Sequence, residues 1–466
     1  MNAFNRPDLR IYVDWIFPDG QIKYVGAIIR QGGVEGFAYH SAYDGPPIDP
    51  CWLNHRRRLS QSLDFRASSQ TIPIGDGTLH PVFQDAIPGA FAEQAIRTVN
   101  RDFSSFTDLD KLYAMGTQQK GALRFRVDDA PVRDVDVQGY KALERARNVA
   151  VEVYLNKVRQ LIPKDLLRSF GAGEGGARPK VGFTEFTGEK YIAKFNTDKD
   201  PYVSLARIEH LIGVMSRAAG IQAAETRIET LPESNEDVLL SKRFDVMGSG
   251  KKTTPLHKMS FARLTGKDNI GRQKAGCADY LDMVAVIRAH SADAESDVRE
   301  LFRRMVLHAA VNNTDNHLGN FEMMYTESNG AHGWRLAPSY DVTVDDGRSP
   351  LSTTMCGFTH KTLNMQFLLR SAEKFGIPQK EALEMAGRVL GVVGNFQRYA
   401  GDVKICPQDM DILASAIDVQ AVRSLHAEVT AALATGLMQQ AGRSGPGAAP
   451  SKKPGPSRKG SLFGRG

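Results

Sequence analysis

Nowhere in its 466 residues does the chain hold an unbroken apolar run near the roughly 18 residues that a membrane helix needs. Its opening, MNAFNRPDLRIYVDW, is charged at the start and lacks the continuous apolar stretch of a secretion signal. These absences predict a cytoplasmic protein with no membrane contact. Cysteine is scarce: Cys51, Cys277, Cys356 and Cys406 stand singly, without the C-x-x-C spacing of a zinc site or the density of a disulfide scaffold, so reduced thiols are expected. His257, His308 and His317 lack the i, i+4 spacing of a zinc helix, which argues against a metallohydrolase. Acidic residues are missing beyond Ala441, where Arg443, Lys452, Lys453, Arg458, Lys459 and Arg465 hold the basic excess. Those six, taken from 59 Lys and Arg, leave 53 against 53 Asp and Glu, so the net charge of +6 belongs to the tail and the body is close to neutral. The tail is rich in Gly, Pro and Ser without apolar periodicity and is predicted to be disordered and solvated.

What is present is enough apolar residue, 42%, and charge, 24%, for a large globular core. Short alternating runs, RIYVDWIF, KYVGAIIR and VEGFAYH, separated by PDGQ and QGG, predict a small antiparallel sheet. Helical segments follow between Phe83 and Met115, then a strand at GALRFRV and a charged helical stretch from Tyr140 to Ile162, with the pattern changing at Gly171. From there GAGEGGARPK opens a loop of small residues, and two strands turn at TGE. Alternation from Tyr191 to Phe195 puts Lys194 on the face opposite Tyr191, Ala193 and Phe195. Leu205, Ile208, Leu211, Ile212 and Met215 mark one face of a helix, with Gly220 as its stop. Strands ETRIETL and DVLLSKRF come next, and the remainder is mostly helical.

One stretch interrupts that remainder. NNTDNHLGNF packs Asp315, His317 and four asparagines behind a helix that Ser296 is expected to cap and that ends near Val311. It is followed by the strands FEMMY and WRLAP, with a turn at ESNG, and by a second aspartate in PSYDV. Such a hairpin brings Asp315, Asn320 and Asp341 to one end. Oxygen donors so placed suit a magnesium nucleotide, because this hard cation takes carboxylate and amide oxygens and is completed by phosphate and water. Phosphoryl transfer needs a glycine loop over phosphates, a lysine, magnesium ligands and a carboxylate for the attacking hydroxyl. Gly175 and Gly176, Lys194, Asp315, Asn320 and Asp341 occur in that order. The D-x-x-x-x-N spacing of Asp315 and Asn320 is that of a kinase catalytic loop. Each piece alone is common in turns and solvated strands, and it is the ordered set on suitable elements that carries the reading. His317 is a candidate for holding the loop.

On these residues the chain resembles the HipA-type serine/threonine kinase toxins of bacterial type II toxin-antitoxin systems. GGARPK looks like the family's glycine-rich loop, YIAKF its lysine strand, LLSKRFD its hinge, NNTDNHLGNF its catalytic loop and LAPSYDV its metal-binding segment; LSQSLDF and FAEQAI are similar to its N-terminal subdomain. The resemblance implies an α+β, kinase-like two-lobed fold with antiparallel sheets in a mixed N-terminal part and a mostly helical C-terminal lobe. Residues 1–125 would form the N-terminal subdomain, 126–285 the nucleotide lobe, 286–440 the helical lobe and 441–466 the tail. It implies Asp315 as catalytic base, Asn320 and Asp341 on magnesium, Gly175, Gly176 and Lys194 at the ATP phosphates, and Lys242 and Phe244 beside adenine. It also implies a protein substrate, such as a translation factor, and a helix-turn-helix antitoxin as partner, with DNA reached through that antitoxin. Two positions depart from the family: Gly173 stands where a self-phosphorylated serine is usual, and Lys242 where glutamate is common. The alternatives are a corepressor module in which catalysis is incidental, and a small-molecule phosphotransferase.

Overall fold

The computed structural model describes residues 8–31, 34–51, 72–73, 79–115, 121–127, 136–158, 161–171, 176–249, 252–267, 278–328, 331–345 and 349–443. In strand β1 (Asp8–Ile16) every second residue, Leu9, Ile11, Val13 and Trp15, is buried. Gly20, at φ +84°, turns the chain into β2 (Ile22–Gln31). With β3 (Val34–Tyr39), β4 (Ile72–Pro73) and, after helices α1 (Pro81–Gln84), α2 (Ala90–Arg97) and α3 (Asp108–Met115), strand β5 (Leu123–Arg126), these form an antiparallel sheet of order β4-β3-β2-β1-β5. The predicted strands and helices of this part are all present. LSQSLDF lies outside the described residues.

A second sheet, β6-β7-β8-β10-β9, is built from β6 (Val137–Gln138), β7 (Lys180–Thr184), β8 (Lys190–Phe195), β9 (Thr226–Thr230) and β10 (Asp237–Lys242), antiparallel except for the β6–β7 pair. Helix α4 (Tyr140–Tyr154) buries Leu143, Ala146, Ala150 and Val153 in the core behind it. The helix expected to run to Ile162 stops eight residues earlier because Asn156 takes a left-handed turn, φ +56°, and a separate helix α5 (Lys164–Gly171) follows. Helix α6 (Leu205–Ala218) shows the predicted apolar face, fully or almost fully buried, and Gly220 follows it at φ +79°.

Beyond the hairpin β11 (Val246–Ser249) and β12 (Lys252–Pro255) lie β13 (His257–Ser260), α7 (Phe261–Thr265), β14 (Ala278–Asp279), α8 (Tyr280–His290), α9 (Ala294–Ala310), β15 (Glu322–Ser328), β16 (Ala331–Leu336) and β17 (Thr353–Thr354). Helices α10 (Met365–Phe375), α11 (Gln379–Val393), α12 (Phe396–Asp402), α13 (Pro407–Ala416) and α14 (Val419–Arg443) complete a mostly helical C-terminal lobe. The fold is therefore α+β, with antiparallel sheets ahead of helices. The first sheet and the helical lobe share one apolar core, joined by edge contacts of Trp15 with His257 (5.0 Å) and Tyr325 (5.1 Å), whereas the second sheet has its own core. Helix α14 continues through Arg443, past the boundary predicted at residue 441; the rest of the tail lies outside the described residues. Cys51, Cys356 and Cys406 are free thiols, and no described helix is long and apolar enough to cross a membrane.

Candidate active site

Helix α9 begins two residues before Ser296, because the Asp293 carboxylate accepts the Ser296 N–H (3.3 Å) and takes the capping role expected of the serine. At its far end Asn312 turns the chain at φ +60°. The asparagine-rich run that follows is pinned by its own side chains. Asn312 Nδ2 donates to Asp345 O (2.9 Å), Asp345 N–H donates back to Asn312 O (3.1 Å), and the Thr314 hydroxyl donates to the Asp345 carboxylate. Asn316 exchanges two bonds with the Thr353 backbone, at 2.9 and 3.0 Å. Tyr340 Oη donates to Gly319 O (3.2 Å), and Asn320 Nδ2 to Asp315 O (3.2 Å), which leaves the Asn320 amide oxygen for a cation. Of residues 311–320 Asp315 alone is exposed. A buried, clamped loop thus presents one carboxylate outward. Packing raises the Asp315 carboxyl above its ordinary value, the His317 imidazole opposes this, and Asp341 and Asp345 add to it.

Strand β8 presents Lys194 as its alternation predicts, with Tyr191, Ala193 and Phe195 in the core behind. Lys194 Nζ reaches Glu209 Oε1 of α6 (2.5 Å) and Asp341 Oδ1 (2.7 Å). Burial works against the charged lysine, but the two carboxylates outweigh it and hold its pKa above the ordinary range. Burial also pushes Asp341 up, yet Lys194 and Lys180 hold it well below the usual carboxylate range, while Glu209 is raised by burial against the pull of Lys194. Buried charge of this kind is costly and is weak evidence of stabilisation, so its concentration at one cavity points to a ligand. Asp341 is left-handed, φ +57°, a conformation that costs of order 1–3 kcal/mol and clusters at functional sites.

Gly175 lies outside the described residues; Gly176, at φ +108°, passes so close to the buried Lys180 that a Cβ there would sit 3.0 Å from Lys180 Nζ. On the hinge, Lys242 turns its ammonium to Glu189 (2.8 Å) and Glu225 (3.6 Å), and its backbone N–H is already donated to Glu225 O (2.8 Å). The Phe244 ring lies 5.5 Å from that of Tyr340, with Lys258 Nζ 5.5 Å from its centre.

All the described residues among those predicted, Gly176, Lys194, Lys242, Phe244, Asp315, Asn320 and Asp341, line one cavity of about 870 Å3. Sequence reasoning missed Glu209 and Lys180 on the same wall. Glu209 left a signal, as the one acidic residue of α6, placed among apolar neighbours directly after the lysine strand. Among the described residues no group of three or more His, Cys, Asp or Glu side chains could hold a metal by itself. The donor set of Asp341 and Asn320 instead fits a hard cation that brings phosphate and water ligands with it.

Residues 21–126 match the HipA N-terminal domain and residues 172–395 the HipA-like C-terminal domain. No curated protein matches the chain. A chain of the solved complex of the Shewanella oneidensis MR-1 toxin-antitoxin system, HipA, HipB and its operator DNA, is similar at a TM-score of 0.65 over 90% of this chain and 99% of that one, with 14% sequence identity. That likeness is one of fold. The Helicobacter pylori proinflammatory kinase CtkA aligns at a TM-score of 0.38 and 16% identity over 55% of this chain and 94% of its own.

Proposed function

Because the chain belongs to the HipA family, with matches to both of that family's domains, we propose that it is an ATP-dependent protein serine/threonine kinase and the toxin of a cytoplasmic toxin-antitoxin pair. The observation that carries this is Lys194 bonded at once to Glu209 and Asp341 on the wall of the cavity that also receives Asp315 and Asn320. Phosphoryl transfer requires little covalent work from the protein and much positioning. Lys194, oriented by Glu209, binds phosphate oxygens. Gly176 lets the backbone pass close over them, and Phe244 and the hinge form the wall for adenine. Asn320 and Asp341 would hold magnesium, which when bound neutralises charge on the phosphates. Asp315 orients the acceptor hydroxyl and takes its proton as the new oxygen–phosphorus bond forms and the bond to ADP breaks.

The acceptor is a serine or threonine of a cellular protein, for which the family implies a translation-related target. A helix-turn-helix antitoxin is the proposed partner, as the complex of the Shewanella protein with HipB and operator DNA supports, and DNA is reached through it. Transfer of labelled γ-phosphate into proteins of a cell lysate tests the reading. Labelled protein bands that vanish with Asp315→Asn are expected. Label confined to small molecules would point to a small-molecule phosphotransferase, and none at all to a corepressor module.

A further inference from the structure

The segment joining α1 to α2 lines the cavity between the end of β13 and Gly176. At its start the Asp85 carboxylate accepts the Ser260 N–H (2.8 Å) and hydroxyl (2.9 Å), on the end of β13. At its finish Phe91, in the first turn of α2, donates its backbone N–H to Gly176 O (3.2 Å). The residues between them line the cavity. Although α2 lies within the match to the HipA N-terminal domain, its buried residues Phe91 and Ala95 belong to the core of the second sheet. The Phe91 ring, 2% exposed, meets the edge of Phe170 at 5.4 Å, and Gln94 Nε2 donates to Val153 O (2.7 Å) at the end of α4. The N-terminal domain therefore plugs a side chain into the nucleotide lobe and grips the carbonyl of its glycine-rich segment. Lys180, beneath Gly176, acts electrostatically on Asp341 and Glu209.

We propose that the segment from Asp85 to Phe91 is a strap in which these two are positioning residues: tethered at Ser260 and plugged in beside Phe170, it holds Gly176 and Lys180 over the phosphate side of the cavity. Nucleotide affinity is then set by the N-terminal domain, and a partner seated on that domain has a direct mechanical route to the site. The inference rests on the nucleotide reading above. An aromatic edge contact and a backbone hydrogen bond are each small terms, so the expected effect is graded. In the full chain, Phe91→Ala should raise KM for ATP and the calorimetric Kd for magnesium ATP about ten-fold, and Asp85→Ala, which leaves the core intact, about three-fold. Both should leave kcat within about two-fold of wild type, and Phe91→Leu should recover most of the loss. Backbone amides of residues 176–184 should exchange hydrogen faster in Asp85→Ala without nucleotide. A role confined to folding would lower the melting temperature of these variants and leave KM and that exchange unmoved, which overturns the strap. If Phe91→Ala fails to fold, Asp85→Ala decides alone. A wild type that binds no nucleotide defeats the kinase reading instead, and the exchange measurement then still decides for or against the strap.

Discussion

Lys194 stands between two carboxylates, and the two have different claims on it. Glu209 is a structural partner from α6, whereas Asp341 is also a proposed cation ligand, so on that reading nucleotide binding would ask Asp341 to divide itself between ammonium and metal. On the proposed reading, removing Asp341 deletes a cation ligand, while removing the Asp315 carboxylate deletes only the group that would handle the acceptor proton. Asp341→Ala is expected to weaken magnesium-dependent ATP binding by at least about ten-fold, one ligand's worth, with binding by Asp315→Asn close to wild type. Titration calorimetry with and without magnesium decides this, and equal affinities for wild type and Asp341→Ala would remove Asp341 from the metal site. In turnover the order reverses. Asp315→Asn should lower kcat by about 10²–10⁴-fold, the usual worth of a positioned general base, and a variant still as active as wild type would end the kinase reading. At this scale the residues legible in the sequence were those with fixed local spacing, Asp315 with Asn320, or a strand's alternation, Lys194. Glu209 and Lys180 meet them only through the fold, because no sequence interval dictates how α6 docks against β8.

Elements were read well where periodicity or turn chemistry had no competitor, as in β1, β2 and the hairpin of β15 and β16. Boundaries failed where two residues competed for one role. Asp293 outcompeted Ser296 as a cap, and Asn156 ended α4 within a stretch whose composition still favoured helix. The glycine-rich segment raises a question of control at the same scale. The resemblance implies that phosphate on a serine at the position of Gly173 would switch such a kinase off; Gly173, which lies outside the described residues, offers no acceptor oxygen. The nearest hydroxyls are poor substitutes. Ser169 is 1% exposed and donates to Leu166 O (2.7 Å) within α5; Thr184 Oγ1 donates to Asp136 Oδ2 (3.0 Å) at the end of β7. Phosphate on Ser169 would bring a charge of about two negative units into an apolar core. Incubation with ATP and magnesium, followed by phosphosite mapping by mass spectrometry, is expected to find neither residue stoichiometrically modified. Control is then expected to rest with the partner protein, and full phosphorylation of either residue, with loss of activity, would refute that.

Across the whole molecule, two consequences follow from how charge is distributed. Burial lowers the pKa of His257, bonded to Ile48 O (2.7 Å), to about 4, and that of His308, beside Tyr280 Oη (2.9 Å), to about 3. Unfolded, each titrates near 6.5. Between those values the unfolded chain binds protons that the folded chain refuses, so stability is lost as pH falls through about 6.5 toward 4, by roughly 1.4 kcal/mol per pH unit and histidine. Urea midpoints should accordingly fall between pH 7 and 5, and a flat profile would exclude these histidines as the acid-sensitive groups. The second consequence concerns DNA. Cutting the chain after Arg443, where α14 ends, removes five of its 59 basic residues and no acid, leaving 54 against 53. Phosphate contacts supply most sequence-independent affinity and depend on a surplus of Lys and Arg at the surface. Much of this chain's basic charge is already spent within the fold: Arg207 is held by Asp237, Arg335 by Asp297, and Arg304 by Glu300. On this charge balance the truncated chain is expected to hold a duplex poorly, whereas a helix-turn-helix partner would bring its own recognition helix. Fluorescence anisotropy on a labelled operator duplex at about 150 mM salt should show no binding by the chain cut after Arg443 and tight binding by its complex with the antitoxin. Tight binding by the truncated chain alone would overturn this division of labour. Binding by the uncut chain that disappears on truncation and weakens steeply with salt would assign the contact to the basic tail.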